Sequence, residues 1–182
     1  WLRGRAIPLA PRLALVTSAA LLLAGALAFL VFEWDNALAG LALVDRLHNA
    51  WFQSVTLRTA GFNSVDLATV LGPTYLLMHV WMFIGGSPGG TAGGVKTTTI
   101  AVLALTFWTN ITGHAEVIVQ NRRIPQATIN RAVTLVGAGV LIWAAAALAL
   151  QITQPLPARA LLFETTSALG TVGLSLGITP SL

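Results

Sequence analysis

The chain contains no cysteine, a single lysine and few charges of either sign: Asp, Glu, Lys and Arg make up 9% of its 182 residues. Without thiols there are no disulfides and no thiolate metal sites, and nothing reports a redox compartment. Soluble domains carry about 25% charged residues, so the scarcity of charge excludes an ordinary soluble globular protein. What fills the sequence is apolar, 55% hydrophobic with a mean hydropathy of +0.78, which is a membrane-protein composition. Ten Lys and Arg against six Asp and Glu leave a net charge of +4. These basic residues stand at the ends of apolar segments and form no stripe, so they read as topology signals, and no nucleic-acid partner is expected. His48 and His114 are isolated and lack ligand spacing, so no transition-metal site is expected either.

Leu13 to Phe32 is uncharged and long enough to span a bilayer as a helix, since about 20 apolar residues cross about 30 Å. Asp35 to Leu57 is shorter in its apolar pattern and more polar, with Leu43, Leu47, Trp51 and Val55 near helical spacing, and fits a re-entrant half-helix or an interfacial helix. Leu67 to Trp108 reads as one crossing interrupted by a glycine cluster. Such irregular backbone is tolerated at membrane depth only where protein or a watery cavity surrounds it. Residues 109–131 are the one long polar stretch, and Ala132 to Leu150 is a second clean span. Arg3, Arg5 and Arg12 before the first span, and Arg122, Arg123 and Arg131 before the second, put both flanks in the cytoplasm. The sequon Asn110-Ile111-Thr112 then falls inside the cell and is a chance match.

The order span, half-helix, glycine turn occurs twice. Thr59-Ala60-Gly61-Phe62 aligns with Thr171-Val172-Gly173-Leu174 at an offset of 112 residues, which also places Trp51 on Phe163 and Ser54 on Thr166. Glycine accepts backbone angles closed to other residues, which lets consecutive carbonyls face one way and replace the water around a cation. The plainer reading is that Gly61 and Gly173 only end helices; the repetition of residue order together with segment order favours a duplicated membrane unit.

GGSPGGTAGGVKTTT, residues 85–99, looks like a phosphate-binding loop. A Walker A loop needs its second glycine next to the lysine, and Val95 occupies that place before Lys96. The preceding PTYLLMHVWMF has a membrane-helix pattern and supplies no strand. A nucleotide enzyme is thereby disfavoured, and no enzymatic activity or cofactor is expected. A coupled carrier for another cation or small solute remains the alternative, because broken helices also build such sites.

TLRTAGFNS, MFIGGSPGGTAGGVKTTT and FETTSALGTVGLSLG, in this order and spacing, resemble the Trk/Ktr/HKT superfamily of potassium transporters, above all its Ktr-type, sodium-coupled membrane subunit. The resemblance covers nearly the whole chain. It implies an all-α, potassium-channel-like membrane fold of four repeats, each with an outer helix, a re-entrant pore helix with its filter loop, and an inner helix. The chain then reads as a piece of a longer polypeptide. Residues 1–12 would be a cytoplasmic linker. The third repeat would run over 13–108, with outer helix 13–32, pore helix 45–57, filter 58–63 and broken inner helix 67–108. A cytoplasmic connection would follow at 109–131. The fourth repeat would be truncated at 132–182, with outer helix 132–150, pore helix 158–168 and filter 169–175.

By the same resemblance, Thr59, Ala60, Gly61 and Phe62 form one ion-binding filter and Thr171, Val172, Gly173 and Leu174 another, binding potassium through carbonyls. Phe62 and Leu174 stand where potassium channels carry tyrosine, which suits the family's looser preference for potassium over sodium. Gly85, Gly86, Ser87, Pro88, Gly89, Gly90, Thr91, Ala92, Gly93 and Gly94, with Lys96, would be an intramembrane gate. The resemblance also implies a multi-pass protein of the bacterial plasma membrane, in contact with lipid, forming a homodimer and binding a cytosolic nucleotide-sensing regulatory ring. Potassium, with sodium as a coupling ion, would be the transported species. Lys96 reads equally as a snorkelling residue and as a gating charge, Glu164 as an interfacial charge or a source of negative potential at the outer mouth, and His79 as packed between helices.

Overall fold

In a computed structural model the described residues are 8–114, 116–119 and 122–179; the expected linker at 1–7, with Arg3 and Arg5, and the last three residues lie outside them. Six helices follow one another: α1 Leu9–Phe32, α2 Leu43–Thr56, α3 Gly72–Phe83, α4 Thr97–Ile111, α5 Gln126–Thr153 and α6 Ala158–Leu169. The fold is helical, with one small exception. Within the polar stretch expected to be a plain connection, β1 Ile118–Val119 pairs antiparallel with β2 Arg122–Arg123. Val117, Ile124, Ile129 and Ala132 beside this hairpin are buried with Val102 of α4, a small core that the scattered apolar residues of the stretch did not announce.

α1 and α5, at 24 and 28 residues, are long and apolar enough to cross a membrane. Only 11% and 6% of their most apolar stretches is buried, so both turn their apolar surface outward, unlike the core helices of soluble proteins. Both also overrun the uncharged segments that betray them: α5 starts at Gln126, directly after Pro125, and carries Asn130 and Arg131 before the apolar run begins. A helix needs no apolar residues where it leaves the hydrocarbon, so hydropathy marks the immersed part and not the helix ends.

The other four helices are short. At 1.5 Å per residue α2 and α6 are about 21 and 18 Å long, too short to span. α3 and α4 reach a membrane's thickness only together. The chain before α3 is not helical from Leu67: a single 3₁₀ turn, Leu67–Thr69, is capped by the Asp66 side chain, which accepts from Ala68 N–H at 2.9 Å. α3 starts only at Gly72, with Pro73 in its first turn, where a missing N–H costs nothing.

α1 packs on α2, α3 and α4, and α6 packs on α3 and α5. The main core lies between them: Phe29, Leu57, Leu67, Met78, Met82 and Phe163 are buried there together with Val172 and Leu174. The loop after α6 is therefore anchored by its alternate side chains. His79 lies between α3 and α6, its ring 4.3 Å from that of Tyr75 and 5.7 Å from that of Phe163, with Nδ1 at 2.8 Å from the Tyr75 carbonyl.

Candidate functional site

Each of the short helices α2 and α6 is followed closely by a Thr-x-Gly turn. Thr59 and Thr171 have φ of 70° and 51°, the only non-glycine residues with positive φ among those described, and Gly61 and Gly173 have φ of 79° and 89°. Ala60 and Val172 between them keep the ordinary negative sign. A left-handed backbone is a real cost for a β-branched threonine, and strain of that kind gathers at functional sites. Alternating the sign of φ turns successive peptide planes so that N–H groups face one side and carbonyls the other. That this pattern recurs at residues 112 apart makes the internal repeat a matter of backbone geometry as well as residue order.

The two turns meet. A Cβ added at Gly61 would lie 2.3 Å from the Val172 carbonyl oxygen and 3.2 Å from the Gly173 Cα. Both turns are tied by backbone bonds to the helix before them, Gly61 N–H to the Thr56 carbonyl at 3.4 Å in the first, and each has a further support of its own. In the second, Val172 N–H donates to the Ser167 carbonyl at 2.8 Å, and Val172 and Leu174 are buried. In the first, Thr56 Oγ1 accepts from Phe62 N–H at 2.9 Å and donates to the Phe62 carbonyl, while Phe62 is 70% exposed. Thr56 escaped the sequence reading because its counterpart at the repeat offset is Ala168, so the comparison of repeats carried no signal for it.

Glu164 accepts from Ser175 Oγ and, at 3.2 Å, from Thr179 Oγ1. Its carboxylate thus supports the chain just beyond Leu174, on the wall of a cavity of about 370 Å³ that Thr171 and Gly173 also line.

Gly85 to Gly94 leave the helix axis as a closed excursion. Val95 N–H donates to the Phe83 carbonyl at 2.9 Å, Gly85 N–H to the Val95 carbonyl at 3.0 Å and Thr97 N–H to the Gly86 carbonyl at 3.2 Å, so the neck between α3 and α4 is bonded shut. A Cβ at Gly85 would fall 1.7 Å from the Gly93 carbonyl oxygen. Glycine here permits two backbones to touch, a use distinct from the conformational freedom its abundance suggests. Lys96, just before α4, donates through Nζ to the Ala92 carbonyl and so closes on the loop itself. The loop stands against the second turn, where Gly93 N–H donates to Thr171 Oγ1 at 2.7 Å.

A family model described as TrkH: Cation transport protein matches residues 7–182. The chain belongs to the TrkH family. Among its relatives, the potassium/sodium uptake protein NtpJ of Enterococcus hirae is 37% identical over 99% of the chain and 41% of its own length. The Ktr system potassium uptake protein B of Vibrio alginolyticus is 34% identical over 94% of the chain and 38% of its length. The chain thus spans about two fifths of the length of these relatives. The crystal structure of the potassium transporter TrkH from Vibrio parahaemolyticus superposes with a TM-score of 0.72 over 91% of the chain and 36% of that structure, at 23% identity, which shows the fold. As a TrkH-family chain with two outward-apolar helices, the protein is a multi-pass membrane protein. The paired Thr-x-Gly turns and the adjoining glycine loop, which meet at Gly61 with Val172 and at Gly93 with Thr171, are the candidate site.

Proposed function

We propose that the full-length protein takes up potassium across the bacterial plasma membrane. The segments Thr59 to Phe62 and Thr171 to Leu174 replace the ion's water with backbone carbonyls as filters, the Phe62 carbonyl also being tied to Thr56 Oγ1, and the loop Gly85 to Gly94, with Lys96 at its base, gates the path beside them. The observation that carries this reading is the pair of strained turns, 112 residues apart, whose φ alternates in sign and which meet at Gly61 and Val172. Backbone carbonyls aimed into a shared space are what a dehydrated monovalent cation needs. The relatives' names, which speak of potassium and of potassium and sodium uptake, support the choice of ion and a dependence on sodium. The division into a third repeat at 13–108 and a fourth from 132, the homodimer and the cytosolic nucleotide-sensing ring belong to the same proposal and rest on the family resemblance.

The experiment is rubidium uptake by the full-length protein in a potassium-uptake-deficient bacterium. Saturable uptake that potassium competes for is expected. Membrane-inserted protein that accumulates no rubidium, or that transports an organic solute instead, would overturn the reading.

A further inference from the structure

The position just before each filter differs between the repeats: Arg58 stands where the offset of 112 puts Gly170. On the fourth-repeat side the backbone itself abuts the end of α3, since a Cβ at Gly170 would lie 2.3 Å from the Met82 carbonyl oxygen. On the third-repeat side a side chain bridges the gap. Arg58 Nη2 donates to the Gly85 carbonyl at 3.3 Å and to Ser18 Oγ at 3.4 Å, while Nη1 donates to the Ser18 carbonyl at 3.4 Å. Ser18 Oγ in turn lies 3.3 Å from Ser87 Oγ, within the loop. No carboxylate is within ion-pairing distance of Arg58 among the described residues, and its Nε is buried without a partner. A guanidinium so placed is held by neutral acceptors from two elements, the outer helix and the glycine loop, and joins both to its own filter turn.

We infer that Arg58 is a positioning residue that ties the glycine loop to the third-repeat filter and to α1. Together with the bond from Gly93 to Thr171, it clasps the loop to both filters, so that moving the loop loosens them. Gating and ion discrimination are then coupled. The inference rests on the filter and gate reading above. The planar guanidinium reaches Gly85 and Ser18 at once through its fork of donors, and an ammonium cannot reproduce this.

The test uses the full-length protein with its other cysteines removed and Thr91→Cys at the exposed loop tip as a reporter, labelled by a membrane-impermeant thiol reagent. Arg58→Met is expected to raise the labelling rate about tenfold, the scale of one lost hydrogen bond to a charged group, and to lower the ratio of rubidium to sodium uptake. Arg58→Lys, which keeps the charge without the fork, should fall between. Ser18→Ala lies outside filter and loop, keeps the carbonyl acceptor, and should raise labelling by a smaller factor even if Arg58→Met does not fold. Unchanged labelling in Ser18→Ala and in every folded Arg58 variant overturns the tie. So does faster labelling with an unaltered rubidium-to-sodium ratio, since coupling is then absent. The gate reading fails separately, if excision of the loop tip leaves flux unaltered.

Discussion

At the scale of single residues, Gly61 and Gly173, the glycines of the two proposed filters, carry the same sign of φ but unequal surroundings, which orders the effects of substituting them. At Gly173, φ of 89° makes any side chain strained, yet the nearest atom to an added Cβ is the Gly61 Cα at 3.5 Å. At Gly61 the strain is joined by a collision at 2.3 Å with the Val172 carbonyl oxygen. Gly173→Ser in the full-length protein is therefore expected to keep some rubidium uptake with weaker discrimination against sodium, and Gly61→Ser to lose uptake. The reverse order, or discrimination unchanged by both, would count against carbonyl filters at these turns. Glu33 supports a second expectation. Directly after the last residue of α1, it is 0% exposed and takes four donors: Asn36 Nδ2, Ala37 N–H, Leu71 N–H and Thr74 Oγ1. A carboxylate is an acceptor on both oxygens, and here it fastens the end of α1 to the start of α3. Glu33→Ala strands the buried Thr74 hydroxyl, at about 1–3 kcal/mol for a buried group left unsatisfied, and removes the acceptor of three part-buried donors. A clear fall in the melting temperature of the detergent-solubilised protein is expected, and an unshifted transition would show that water takes over the role.

At the scale of elements, what the sequence made legible was whatever hydropathy and residue order encode. The runs at 13–32 and 132–150 lie within α1 and α5, and the half-helices lie within a residue or two of α2 and α6. The neck of the glycine loop was not legible, because it is made by backbone bonds from Phe83, Val95 and Gly86, to which side-chain identity is nearly irrelevant. Nor were the contacts of Arg58 and Thr171 with the loop, which join residues 27 and 78 positions apart. The β1–β2 hairpin stayed hidden for want of a recognisable turn signal. The closed neck sharpens what excision of the loop tip should do. Removing Gly89 to Gly93 takes away the residue bonded to Thr171 while sparing every acceptor and donor of the neck, so α3 and α4 should stay joined. Rubidium influx through the full-length variant is expected to rise and to lose its dependence on regulation. Influx that stays at the parental rate, from protein that is correctly inserted, would remove the gating role.

At the scale of the whole molecule, the helix lengths dictate which parts of the chain share a side of the membrane. α2 and α6 are about 21 and 18 Å long at 1.5 Å per residue, too short to cross, whereas α1 and α5 have the length to do so; in the proposed arrangement each short helix dips in and returns through its strained turn. In the same arrangement α3 and α4 cross once between them, joined at the bonded neck. This count puts the turn at Asp35 and the segment around Ser175 on one side, and His114 with the hairpin at Arg122 and Arg123 on the other. Arginine accumulates on the cytoplasmic side of a span, which makes the hairpin side the inner one. Were α2 instead a full crossing, everything after residue 57 would invert, and the hairpin arginines would lie outside. Single cysteines at Asp35 and His114 in an otherwise cysteine-free full-length protein separate the two arrangements. In intact cells an impermeant thiol reagent should label Asp35→Cys and spare His114→Cys until the membrane is opened. Labelling of both from outside, or of His114→Cys alone, would reject the re-entrant assignment of α2, and with it the geometry that brings Gly61 and Val172 together within the membrane.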